Sequence, residues 1–263
     1  MLQLRLIIKQ KKIIAAEGYS EVVTWSFMDG NKAKVLFNDL ITLQNPISND
    51  LNTMRPSTIP NLLEAINQNK SRMYTRAKIF EVGPNFSKSF IDYQENVASA
   101  ITYGSVDEEN WLSDKKNNNV FSVKADLFNI LNILNVPTDN LLYVENDNNI
   151  YHPGKSSTLR LGKNIVAKFG ELHPILLKTM DINIKVYAFE IYLDNISQFQ
   201  ENKSFSRGAF SNNPYQMVER DFAFLLPKEI QAIEIVKKVK KINKNLINNV
   251  TIFDVYEGDK LPK

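Results

Sequence analysis

The sequence has no cysteine, only two histidines, and nine glycines in 263 residues. Without cysteine there is no disulfide framework and no thiolate zinc site, and a reducing compartment is the expected home. The histidines, His152 and His173, stand too far apart for a His-Glu-x-x-His helix, so no metal site is expected. The glycines never fall as Gly-x-Gly, which removes the dinucleotide-binding fingerprint. Gly154-Lys155-Ser156 ends like a phosphate-binding loop, but the position that needs the leading glycine holds Asn149, and a strand-like stretch follows. No Gly-x-Ser-x-Gly elbow presents a serine nucleophile. Neither sign of charge predominates: 32 basic and 29 acidic side chains leave +3, so a basic footprint for nucleic acid must be local. Long hydrophobic runs are missing too. The apolar opening is interrupted by Lys9, Lys11 and Lys12, too short for a membrane span and wrongly charged for a signal peptide. A soluble, cytoplasmic chain is expected.

What is present suits folding. A 43% hydrophobic and 10% aromatic content fills a sizeable core, and the length fits one or two domains. Apolar positions Leu2, Leu6, Ile13, Ala15 and Ala16 beside a basic face predict a helix over 2–17, ended by Gly18. Residues 21–28 read as a strand closed by an Asp29-Gly30-Asn31 turn. Ser57 or Thr58 caps a helix that tolerates Pro60 and buries Leu62, Leu63 and Ile66. Strands are predicted at 77–82, stopped by Gly83-Pro84, and at 96–103, 158–161, 165–169 and 186–191; a helix spans 122–134. His152-Pro153-Gly154 reads as a packed, hydrogen-bonded corner, and Asp107, Glu108 and Glu109 as a solvated loop. After a polar joint at 198–211 come a strand at 221–226, a helix at 229–246 and a strand at 250–256. The class is α+β, with domains at 1–204 and 205–263.

Several segments resemble one family when taken in register. They are Gly18-Tyr19-Ser20-Glu21-Val22-Val23-Thr24-Trp25-Ser26-Phe27, Asn45-Pro46-Ile47-Ser48-Asn49-Asp50 through Met54-Arg55-Pro56-Ser57, and Ile79-Phe80-Glu81-Val82-Gly83. His152-Pro153-Gly154 and Gly170-Glu171-Leu172-His173-Pro174 follow, then Arg220-Asp221-Phe222-Ala223-Phe224 and Phe253-Asp254-Val255-Tyr256. Together they resemble the C-terminal part of the phenylalanine–tRNA ligase β subunit: a class II synthetase-like antiparallel sheet with flanking helices, then a ferredoxin-like anticodon-binding domain. The family's last domain runs β-α-β-β-α-β, so the resemblance implies a fragment that ends after the second strand of that domain, with further domains upstream.

The resemblance implies a whole enzyme that uses ATP and Mg2+ to attach phenylalanine to tRNA, in an α2β2 assembly whose α subunit holds the chemistry. None of those cofactors is expected on this chain. The residues agree: none of the seven arginines is followed two positions on by Asp or Glu, so the Arg-x-Glu pair that holds ATP in class II sites is missing. No catalytic residue is assigned. The first helix and strand match the element by which class II cores pair, which implies burial against the α subunit. In the tail, period two sends Phe222, Phe224, Phe253 and Val255 towards the helix, and Asp221, Ala223, Asp254 and Tyr256 to the open face. The resemblance makes these four the RNA-binding residues: a small Ala for a flat base, a carboxylate for guanine N–H groups, a tyrosine to stack. Lys237, Lys238, Lys240, Lys241 and Lys244 form the wet side of the tail helix and can steer RNA. A free-standing RNA-binding or scaffold protein derived from a synthetase is the alternative.

Overall fold

A computed structural model describes residues 2–70, 74–106, 111–112, 116–146, 149–201, 216–227, 230–243 and 245–256. The chain divides into two units, Met1–Phe205 and Ser206–Lys263. The Asp107–Glu109 cluster, Lys244 and most of the 198–211 joint lie outside the described residues.

The first unit opens with α1 (Leu2–Ala16), and Gly18 at φ +85° turns the chain in the left-handed conformation that glycine adopts most readily. Gln10, Ile13 and Ile14 are buried, and the two isoleucines pack in this chain's own core beside Tyr19 and Phe80. That part of the apolar stripe is therefore covered internally, not by another subunit.

The predicted 21–28 strand is divided. β1 (Ser20–Glu21) pairs briefly, the chain leaves the sheet, and β2 (Phe27–Met28) joins a separate two-stranded ribbon. The reason is local. Val22 N–H still bonds Phe80 O at 2.8 Å, but Thr24 N–H and Oγ1 go to the Glu81 carboxylate at 3.2 and 2.6 Å, a side chain where a strand would offer backbone. Asp29 is a helix cap and not a hairpin turn: its carboxylate accepts from Asn31 N–H and starts α2 (Gly30–Leu36). β3 (Thr53–Met54) pairs with β2, and α3 (Ile59–Lys70) follows, with Ser57 Oγ accepting from Ile59 N–H at 3.2 Å. Leu62, Leu63 and Ile66 of α3 are fully buried.

β4 (Ala77–Phe86) runs straight through Gly83 and Pro84, which were expected to end it. Phe80 O and Phe86 N both bond away from the next strand, so the even positions of β4 face the β1 side. There Pro84 has no strand beside it, and its missing N–H costs no ladder bond. β5 (Gln94–Tyr103) is followed by α4 (Val120–Ile133), started by an Asn119–Ser122 capping box. Then come β6 (Leu142–Val144), β7 (Tyr151–Leu161), β8 (Asn164–Leu172), α5 (Pro174–Thr179), β9 (Val186–Tyr192) and α6 (Leu193–Glu201). His152-Pro153-Gly154 is hydrogen-bonded as expected, with Gly154 N–H on His152 Nδ1 at 3.1 Å, but it is a bulge within β7, where the β7–β8 register slips, and Pro153 and Gly154 are exposed and not packed.

The seven strands lie in the order β1-β4-β5-β9-β8-β7-β6, antiparallel except for β1 on β4. α4, α1 and α6 cover one face, around Phe80, Leu127, Phe169 and Phe189. α3 and α5 cover part of the other, around Ile79, Ile101, Leu172 and Ala188.

In the second unit α7 (Ala232–Ile242) forms, but 216–227 and 245–256 show no sheet pairing among the described residues, against the two strands predicted there. In a split β-α-β unit another strand lies between the two, so neither supplies the other with hydrogen-bond partners. Phe224 lines a groove with Ile230, Ile235 and Val239 yet is exposed, as are Phe222, Phe253 and Val255, the other residues expected to face the helix. Among the described residues no helix is long and apolar enough to cross a membrane.

Arg55 knits the first unit together. Arg55 is 1% exposed, and its guanidinium donates to Glu81 Oε1 at 2.8 Å, Thr24 Oγ1 at 2.9 Å and Pro84 O at 3.1 Å. A Cβ on Gly83 would stand 2.6 Å from Arg55 Nη2. Arg55→Ala is expected to cost about 3–5 kcal/mol in denaturant unfolding, because it strands a buried carboxylate. Gly83→Ala is expected to cost about 1–3 kcal/mol by overpacking, with Arg55 unchanged. A loss under about 1 kcal/mol for Arg55→Ala would contradict the assignment.

Candidate functional site

On the sheet face shared with α3 and α5, one row of residues crosses five strands and is polar throughout. Glu81 of β4 pairs with Ser99 of β5, Ser99 with Glu190 of β9, Glu190 with Lys168 of β8, and Lys168 with Thr158 of β7. Period two explains its place: these residues sit two positions from the apolar row of Ile79, Ile101 and Ala188. The sequence reading missed this row. Glu81 and Glu190, each two positions from an apolar core residue within its strand, were the signal available.

The row is largely closed to water. Glu81, Ser99, Glu190 and Thr158 are all buried. Glu190 accepts from Ser57 Oγ at 3.0 Å and from Tyr151 Oη at 3.2 Å. Burial pushes its carboxyl up, opposed by Lys168 and by these two donors. Burial also pushes the Tyr151 and Tyr192 hydroxyls well up, with Glu190 adding to both. Lys168 lies 5.7 Å from the centre of the Tyr192 ring. Glu95, on the same face of β5, is pushed up to about 7 by burial first and then by Asp194 and Glu190, against the pull of Lys168. Asp194 itself accepts Asn96 N–H at 2.9 Å, which fixes the start of α6 on the sheet.

This arrangement sets three carboxylates, Glu81, Glu95 and Glu190, on one face of the sheet. Arg55, the buried cation beside them, spends its guanidinium on Glu81, Thr24 and backbone carbonyls. Such a surface repels a polyphosphate and offers no preorganised cluster of donors. Gly154-Lys155-Ser156 lies in the β7 bulge, not before a helix, and makes no phosphate loop.

The second unit carries the residues expected to read RNA. Asp221, Ala223, Asp254 and Tyr256 are all exposed, Tyr256 at 62%. No sheet joins 221–223 to 254–256 among the described residues, so the structure does not gather the four on one strand face. Phe222 and Phe224 stack at 6.3 Å, as alternate side chains on one side of an extended segment do. On α7, Ile235, Lys238 and Val239 line the groove with Phe224; Lys238, Lys240 and Lys241 are exposed and Lys237 is half-buried.

Comparison with known proteins gives two family matches. Residues 3–193 match the phenylalanyl tRNA synthetase beta chain CLM domain, and residues 213–263 match the ferredoxin-fold anticodon binding domain. The phenylalanine–tRNA ligase beta subunit of Rhodospirillum rubrum is 35% identical over 259 residues, covering 98% of this chain and 32% of that protein. That of Rickettsia prowazekii is 35% identical over 258 residues, covering 96% of this chain and 31% of that protein. The chain thus spans about a third of the length of the curated relatives it matches. A pyrrolysyl tRNA synthetase from Desulfitobacterium hafniense shares the fold at a TM-score of 0.59 and 16% identity, over 76% of this chain and 69% of that one.

Glu95 gives the polar row a pH signature. Its carboxyl titrates near 7 in the folded chain, against 4.5 ordinarily, so the folded state favours the protonated form. Its favourable contribution is present below about pH 4.5 and is lost as pH rises through about 7. Melting temperatures of the wild type and Glu95→Gln, compared between about pH 5 and 8, should diverge in favour of the variant as pH rises, then run parallel. Parallel curves throughout would contradict this.

Proposed function

Because the chain belongs to the phenylalanine–tRNA ligase β-subunit family, we propose that it works as part of that enzyme by supplying surfaces and not an active site. The observation that carries this reading is the closed polar row. Its carboxylates are buried, and Arg55 beside them is tied to Glu81 at 2.8 Å, so among the described residues this face offers no cluster of free cations to a polyphosphate. The activation of phenylalanine with ATP and Mg2+ then belongs to the α subunit, and the assembly is α2β2, acting in the cytoplasm. The exposed side chains on the segment between β1 and β2, Val23 at 85% and Trp25 at 65%, are the apolar surface offered to that subunit.

The tail unit is the tRNA contact. Asp221, Ala223, Asp254 and Tyr256 line the surface that receives the anticodon: Ala223 admits a base close to the backbone, the two aspartates accept from base N–H groups, and Tyr256 stacks. The match of residues 213–263 to an anticodon-binding domain supports this placement.

Two measurements test the proposal. The purified chain alone should show no phenylalanine-dependent ATP–pyrophosphate exchange above background; robust exchange would overturn the reading. In the enzyme assembled with α, Tyr256→Ala should raise KM for tRNA about tenfold, the loss of one stacked base, and leave phenylalanine activation unchanged. An unaltered KM would remove Tyr256 from the site.

A further inference from the structure

The two histidines of the sequence, far apart in the chain, end up side by side. Each opens a His-Pro pair, His152-Pro153 and His173-Pro174, and each uses its ring in the same way. His152 Nδ1 accepts from Gly154 N–H and His173 Nδ1 accepts from Ile175 N–H, both at 3.1 Å. An Nδ1 that accepts has its lone pair engaged, so in the neutral ring the proton sits on Nε2. Both imidazoles are thus held as hydrogen-bond donors at the far edge, with ring centres 6.5 Å apart and both rings half-buried. The same bonds leave no Nε2 lone pair for a metal ion. Gly170 is what lets the two loops approach, since a Cβ there would stand 2.3 Å from Ser156 Cβ.

Lys155 follows the His152 bulge and pairs with the buried Glu171 at 3.3 Å, and Lys178 belongs to α5; Arg160 and Lys163 stand at the other end of the hairpin. Two adjacent ring donors suit an oxyanion that carries several acceptor oxygens.

We propose that His152 and His173 form a two-donor phosphate site on the first unit, contacting an RNA backbone separately from the tail. The choice of RNA as the phosphate's source rests on the function proposed above; the donor geometry does not. A hydrogen bond reaches about 2.8 Å beyond each ring, so one phosphate group can take both.

With only two histidines, a chain labelled with 15N-histidine reports directly. Ring spectra of the free chain should show both Nε2 atoms protonated, and a tRNA transcript for phenylalanine should shift both. The double variant His152→Asn, His173→Asn keeps an acceptor for Gly154 and Ile175 N–H but lacks the outer donor. It should keep the melting temperature and bind the transcript about fivefold more weakly. Rings unmoved at transcript concentrations that saturate binding would overturn the site. So would a shift with inorganic phosphate and none with the transcript. Repeating the titration on Asp254→Ala, Tyr256→Ala separates the two readings. Ring shifts that persist there show a separate contact, and shifts that vanish with all binding leave the tail as the whole RNA site.

Discussion

The buried ion pair between Arg55 and Glu81 is the constraint on which the first unit depends. Arg55 ties together three pieces of chain just beyond the ends of the β1–β4 and β2–β3 pairings: the segment around Thr24 and Trp25, its own strand end, and the Pro84 end of β4. Its backbone continues the work, with Arg55 N–H on Ser26 O and Phe86 N–H on Arg55 O. A charge this deep persists only when it is paired and its partner carboxylate finds further donors. Thr24 supplies those, giving Glu81 Oε2 a hydroxyl and a backbone N–H. Gly83 is part of the same device, because only a residue without Cβ leaves room for Nη2.

This clamp also decides what the sheet face can do. A class II-like sheet with an uncommitted arginine on this face could draw in phosphates; here the guanidinium is consumed internally and the remaining row is carboxylate-rich and shut. Ser57, which starts α3, also donates to Glu190, so the cap of one helix closes the polar row. The same residues that stabilise the fold therefore also close this face of the sheet.

On the proposed reading, function rests on surfaces. The exposed tail residues and the His152–His173 pair lie in different units. The tail would meet base edges with an aromatic ring and carboxylates, whereas the histidine pair would donate only to phosphate.

The sequence by itself determined the α+β class, the apolar faces of α1 and α3, the Gly18 stop and the family, because each rests on short-range pattern: helical period, capping chemistry or a run of residues in order. It also placed Asp221, Ala223, Asp254 and Tyr256 as candidates, on resemblance and period two. Tertiary structure alone decided that β4 continues through Pro84, since whether a missing N–H matters depends on whether a strand lies beside it. It also divided 21–28 in two, because Glu81, some sixty residues on, takes the backbone bond of Thr24. The polar row and the histidine pair were invisible for the same reason: each is built from residues on separate strands, and register, not sequence distance, brings them together.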